Sequence, residues 1–209
     1  MRRLRRAELP TDAAALAKFL IGKTLIRDLA GTRITGRIVE TEAYPPGDAS
    51  GHAFVGPTKR NRSLFLDRGH AYVYFGYGLH YLLNVSAETA GTGAGVLLRA
   101  AEPVQGIHVM EQHRRTTRTT DLARGPARLA EAFAVDHAFD GIDLITDRTL
   151  WLATGIRPVG PIGRSVRIGI TKAVDRELRF FERGSPFVSG PKWLNRSGAL
   201  TAPRRSAPR

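Results

Sequence analysis

Apolar and polar positions alternate along much of the chain from residue 24 onwards. Residues 24–27 alternate, Leu29-Ala30-Gly31-Thr32 reads as a turn, and the alternation resumes over 33–44, which predicts a hairpin. Further strands are expected over 71–77, 81–86, 96–101, 150–153, 165–171 and 178–182. Helical spacing is sparser. Ala15-Leu16 and Phe19-Leu20 give one apolar face to a helix over 13–20, with Thr11 or Asp12 as its cap and Gly22 as its stop. Pro103 is expected to open a helix running to about residue 115, and Pro126 another to 134 on Leu129, Ala130 and Phe133. Residues 45–59, 114–128 and 135–163 read mainly as loop. Strands outnumber helices and do not alternate with them strictly. The expected fold class is therefore α+β, a single domain with a mainly antiparallel sheet flanked by helices. Residues 1–10 read as a mobile basic arm, 11–192 as the domain, and 193–209 as a flexible basic tail.

One run fits neither a core face nor a solvent face. Period-2 spacing puts Ile38, Glu40, Glu42 and Tyr44 on one side of the strand and Val39 and Ala43 on the other. A strand end opening into a cleft would account for both sides. Residues 37–81 also hold His52, the basic turn Lys59-Arg60-Asn61 and all five tyrosines. The charge is lopsided, with 32 Lys+Arg against 19 Asp+Glu, a net +13 and an isoelectric point near 11.1. Such an excess points to a polyanion partner and to salt-dependent binding. No cysteine is present, which excludes disulfides, thiolate catalysis and cysteine-ligated metals. No run of about 18 apolar residues exists to span a membrane. No apolar signal core follows the basic start, so a soluble cytoplasmic protein is expected.

Six words of the sequence carry a family resemblance. They are G-R-I-V-E-T-E-A-Y from Gly36, H-A-x-x-G-x-T-x-R-N from His52, Y-V-Y-x-x-Y-G from Tyr72, L-L-R-A-x-E-P from Leu97, G-P-x-x-L from Gly125, and R-G-S-P-F-V-S from Arg183. In this order they resemble the alkyladenine (3-methyladenine) DNA glycosylase family, the eukaryotic-type group that also occurs in bacteria. The likeness runs from about Gly22 to Ser189. It implies a curved, mainly antiparallel sheet with a protruding hairpin that inserts into DNA. It also implies a monomeric, nucleoid-associated bacterial enzyme of base-excision repair, acting on double-stranded DNA that carries a damaged base, without cofactor or metal. The reaction would be hydrolysis of the N-glycosidic bond of alkylated purines after base flipping.

By the same resemblance, Glu42 would activate the water, with Glu40 as its rival on the same face. Arg99 and the backbone carbonyl of Ile168 would hold that water. Tyr44 and Tyr74 would sandwich the base, with His52 at its face or edge and Asn84 closing the slot. Tyr77 would be the wedge that fills the vacated stack. Lys59, Arg60, Asn61 and residues 114–128 would hold phosphates. The chain departs from the family in a Glu42–His52 loop one residue shorter, in Gly76, which is expected to loosen the hairpin, and in Leu79 for methionine. No lysine other than Lys59 falls in the six words, so a lyase step is not expected. The alternatives are a non-catalytic module for distorted or abasic DNA, which would not need Glu42, and an RNA-binding domain of similar fold.

Overall fold

The computed structural model describes residues 1–76 and 78–196. Its framework is one antiparallel sheet of eight strands. These are β1 (Thr24–Leu29), β2 (Thr32–Tyr44), β3 (Ala71–Gly76), β4 (His80–Ser86), β5 (Gly95–Gln105), β6 (Leu150–Ala153), β7 (Ile162–Ser165) and β8 (Arg179–Glu182). The main path runs β3-β4-β5-β2-β1-β6. The long strand β2 is its axis. One edge of β2 pairs with β5 along most of its length, while the other pairs first with β1 and then, at residues 40–42, with β8. The stretch bearing Glu40 and Glu42 is therefore flanked on both sides, and both side chains are fully buried.

Helices cover one face of the sheet. Helix α1 (Ala13–Leu20) is capped by Asp12, whose carboxylate accepts from the Ala15 N–H at 2.7 Å, a bond worth about 1 kcal/mol. Helices α2 (Ile107–Arg114), α3 (Thr119–Leu122) and α4 (Pro126–Ala132) follow β5. Leu16 and Leu20 of α1, Leu129 of α4 and the neighbouring Phe133 meet Val73, Leu83, Val85, Leu98 and Ala43 of the sheet in the main core. The alternate residues of the same strands, Tyr72, Tyr74, Leu82, Asn84, Leu97, Arg99 and Tyr44, line a cavity on the other face. The α+β antiparallel domain is thus observed, with its site on the face that the helices leave open.

Several expectations fail for local reasons. Pro103 does not open a helix: β5 runs through it to Gln105, at a register break opposite Thr35 and Gly36. A bulge tolerates a residue without an N–H. The chain turns at Gly106, at φ 69°, before α2 begins. A second irregularity in β2, between Ile38 and Thr41, breaks strict alternation. Ile38 therefore joins the main core, away from Glu40, while Val39 packs with Ala100, Phe181 and Val188. Residues 166–171 are irregular, because the Ile168 N–H donates to Glu42 and the Arg167 side chain turns inward. Residues 1–10 are no loose arm. Leu4 and Leu9 are buried, the Leu4 N–H donates to the Leu152 carbonyl at 3.0 Å, and Arg6 pairs with Asp143 at 2.6 Å. Of the expected tail, Leu194 is buried and Asn195 accepts from Arg179, while 197–209 lie outside the described residues.

Candidate active site

Strands β2, β3, β4 and β5 and the two loops 49–54 and 168–172 enclose a cavity of about 510 Å³. Its chemistry starts from β2. Glu42 has no exposed surface and sits directly behind three residues of the wall. Its Oε1 accepts from the Ile168 N–H at 2.8 Å and lies 3.3 Å from Arg99 Nη1. Its Oε2 accepts from the Tyr44 hydroxyl at 2.9 Å. Burial, reinforced by the Glu42 carboxylate, pushes the Tyr44 hydroxyl well above its ordinary value, so it stays a donor. A carboxylate offers about four lone-pair sites. With two used on Oε1 and one on Oε2, a lone pair of Oε2 remains.

Glu40 is engaged differently. Its Oε1 accepts from Arg99 Nε at 2.8 Å, Arg179 Nε at 2.7 Å and Ser189 Oγ at 3.0 Å, and its Oε2 from the Ser189 N–H at 2.6 Å. Burial pushes this carboxyl up. The two guanidiniums and the hydrogen bonds from Arg179 and Ser189 outweigh that and hold it below the usual glutamate range. Arg99 therefore lies between two carboxylates, and burial lowers its pKa less than Glu42 and Glu40 raise it. Arg179 extends the network to Ser165 Oγ at 2.9 Å and Asn195 Oδ1 at 2.7 Å.

The opposite wall is aromatic. Tyr72 and Tyr74 stand two residues apart on β3, nearly parallel, with centroids 5.3 Å apart. His52 meets the Tyr74 ring at 4.4 Å in an edge arrangement, and its Nδ1 is 2.9 Å from the Tyr72 hydroxyl. His52 keeps a solvent-exposed edge, and the partial desolvation of its ring against Tyr72 and Tyr74, with Arg60 nearby, lowers its pKa and favours the neutral imidazole. Asn84 lines the cavity and donates to the Tyr72 carbonyl at 3.2 Å. Gly76 lies against this wall. A Cβ there would meet Leu82 Cδ1 at 2.6 Å and Tyr74 Cε2 at 3.0 Å, so the missing side chain lets Tyr74 lie across the strand.

Glu42, Tyr44, His52, Tyr74, Asn84, Arg99 and Ile168 thus come together in or directly behind one cavity. Ile168 also meets Glu42 through its N–H, a contact beyond the water-holding carbonyl expected of it. Tyr77, the expected wedge, lies outside the described residues. Lys59 and Arg60 are exposed, whereas Asn61, expected to hold a phosphate, is not. It is buried, accepts from the Thr58 N–H at 2.6 Å and donates to the carbonyls of His52 and Gly56 at 2.8 and 2.9 Å. It clamps the loop and leaves no group for a phosphate. In the 114–128 stretch Arg118, Arg124 and Arg128 all pair with Asp121. Sequence reasoning missed Tyr72, whose parity with Tyr74 was the available signal, and the Arg167–Asp48 pair behind Tyr44, which had none. Lys172 also lines the cavity, though it lies outside the six words. Among the described residues no three His, Asp or Glu side chains converge as metal ligands would, and no helix is long and apolar enough to cross a membrane.

Comparison with known proteins gives one consistent result. The sequence profile described as "Methylpurine-DNA glycosylase (MPG)" matches residues 7–186. A "Putative 3-methyladenine DNA glycosylase" of Mesorhizobium japonicum is 58% identical over 189 residues, covering 90% of this chain and 91% of that protein. A protein of the same name from Paraburkholderia phytofirmans is 50% identical over 206 residues, covering 99% and 94%. The "DNA-3-methyladenine glycosylase" of Mus musculus is 42% identical over 195 residues, covering 85% of this chain and 58% of its own length. On a profile spanning most of its length and relatives this similar, the chain belongs to the methylpurine-DNA glycosylase family.

Proposed function

We propose that the protein hydrolyses the N-glycosidic bond of alkylated purines such as 3-methyladenine in double-stranded DNA, on a base flipped into the cavity, and so begins base-excision repair. The observation that carries this reading is Glu42, a fully buried carboxylate one bond behind the wall of an aromatic cavity. A volume of about 510 Å³ lies within the roughly 300–1,000 Å³ usual for small-molecule sites. Tyr44 and Tyr74 supply flat surfaces for a purine, and their faces attract an alkylated base that carries positive charge. A water held between the free lone pair of Glu42 Oε2 and Arg99 loses its proton to Glu42 as its oxygen attacks C1′ of the sugar. The bond to the base breaks, and the carboxylate offsets the oxocarbenium-like charge. The Ile168 N–H and the Tyr44 hydroxyl orient the carboxylate throughout. Tyr77 would fill the gap left by the base, and Lys59 and Arg60 would hold phosphates.

The test is release of free base from duplexes carrying single lesions, read together with the state of the strand. Hydrolysis leaves an abasic site in an intact strand. A strand nicked without added base would instead point to an amine nucleophile, for which Lys172 at the cavity wall is the candidate. Tight binding to lesion duplexes with no base released would leave a non-catalytic recognition module.

A further inference from the structure

Tyr44 has two faces. One belongs to the cavity wall. Over its ring lies the guanidinium carbon of Arg167, 4.6 Å from the centroid. Arg167 is only 4% exposed and is no part of the cavity lining, so it covers the face turned away from the cavity. It is held firmly: Nη1 donates to the Ala43 carbonyl and Nη2 to Asp48 Oδ1, each at 3.0 Å. The guanidinium does not lose its proton in a protein. Asp48 offsets its charge only in part, because the same carboxylate is shared with Arg176 at 2.7 Å.

An aromatic ring attracts a cation through the negative potential of its π face. A cation fixed on one face draws that density towards itself and repels a second cation arriving on the other. Stacking by dispersion, which serves neutral and charged purines alike, is untouched. We infer that Arg167 is a specificity-determining residue: it reduces the preference of the Tyr44 wall for cationic bases and so lets neutral damaged purines compete for the slot. This rests on the excision reading above and adds to it a residue that touches no substrate. The neighbouring backbone N–H, that of Ile168, orients Glu42, so one short segment serves both the reacting carboxylate and the choice of base.

The experiment compares single-turnover release of a cationic base, 7-methylguanine, with that of a neutral one, hypoxanthine, in wild type, Arg167→Met and Arg167→Lys. A rate ratio taken within one preparation is insensitive to the fraction of protein that is active. Arg167→Met should raise the cationic-to-neutral ratio by about three- to tenfold, the scale of a single cation–π interaction. Arg167→Lys keeps the charge and should hold the ratio within about twofold of wild type. Should Arg167→Met fail to fold, Asp48→Asn tests the opposite sign. It removes the counter-charge, and the ratio should fall. An unchanged ratio with both rates reduced together assigns Arg167 a merely structural role and overturns the inference while leaving the excision reading intact. Release of neither base by wild type removes that reading, and the inference with it.

Discussion

Glu40→Gln should destabilise the fold more than Glu42→Gln, although the two residues lie one pleat apart on the same strand. At position 40 one carboxylate neutralises Arg99 and Arg179, both buried. Glutamine removes that charge. It also puts an NH₂ group where Oε2 accepts the Ser189 N–H at 2.6 Å, leaving two donors facing each other, and an inverted amide would face the guanidiniums instead. Breaking a buried ion pair from one side costs about 3–5 kcal/mol. That is a large part of the roughly 5–15 kcal/mol that holds a domain together. At position 42 the glutamine oxygen can keep the Ile168 N–H, and its NH₂ can donate to the Tyr44 hydroxyl, which reverses its role. Arg99 loses its 3.3 Å charge contact with Glu42 but keeps its bond to Glu40, so the expected loss there is about 1–3 kcal/mol. Urea unfolding at neutral pH measures both. The folded pKa of Glu40 is depressed, so its contribution is fully present above the unfolded value and is lost as pH falls through the folded value. The stability gap between wild type and Glu40→Gln should therefore narrow in acid. A Glu40→Gln penalty below about 1 kcal/mol, or a gap that widens in acid, would refute the reasoning.

Three further outcomes follow from charge and packing. Duplex binding should weaken steeply with salt, because a net charge of +13 implies several phosphate contacts, and a flat titration would contradict a polyanion partner. Gly76→Ala should destabilise by about 1 kcal/mol and shift the Tyr74 ring, since its Cβ would meet Tyr74 Cε2 at 3.0 Å and the end of the Leu82 side chain at 2.6 Å; thermal unfolding and a ring-sensitive spectrum check this. The His52 imidazole should titrate below its ordinary 6.5 in the folded protein, so stability falls as pH drops below that unfolded value; NMR of the ring protons reads the midpoint, and one above 6.5 would be contrary.

What was legible in the sequence is what local chemistry decides. The Asp12 cap, the turn at Ala30-Gly31 and the alternation of β3, β4 and β5 are near-neighbour effects, and each strand puts its cavity residues on the parity the pattern assigns. What stayed hidden depends on partners far along the chain. The irregularity between Ile38 and Thr41 exists because β2 must pair with β5 on one edge and pass from β1 to β8 on the other. The alternating run after Ser165 is denied a strand because Ile168 donates to Glu42, 126 residues away. A basic start reads as a mobile arm because Leu4 and Leu9 are only two apolar anchors among arginines, and the edge of β6 that receives Leu4 lies far along the chain. Asn61 reads as a surface residue beside Arg60, yet its amide satisfies four groups of its own loop. Residue pattern alone does not separate Glu40 from Glu42, whereas their partners differ: Glu40 is held by two guanidiniums and Ser189, Glu42 by Arg99, the Ile168 N–H and the tyrosine at the wall.

The most direct test is single-turnover base release by Glu42→Gln, with binding to an abasic-site analogue as the control for folding. The substitution keeps the shape and removes the charge that, on the proposed mechanism, takes the proton of water and offsets the oxocarbenium. Release should fall by at least about 10²- to 10⁴-fold, with analogue binding nearly unchanged. Hypoxanthine should suffer at least as badly as 7-methylguanine, because its leaving group helps less. A Glu42→Gln protein that binds the analogue normally and still releases base at near wild-type rates would contradict the assignment of Glu42 as the reacting carboxylate.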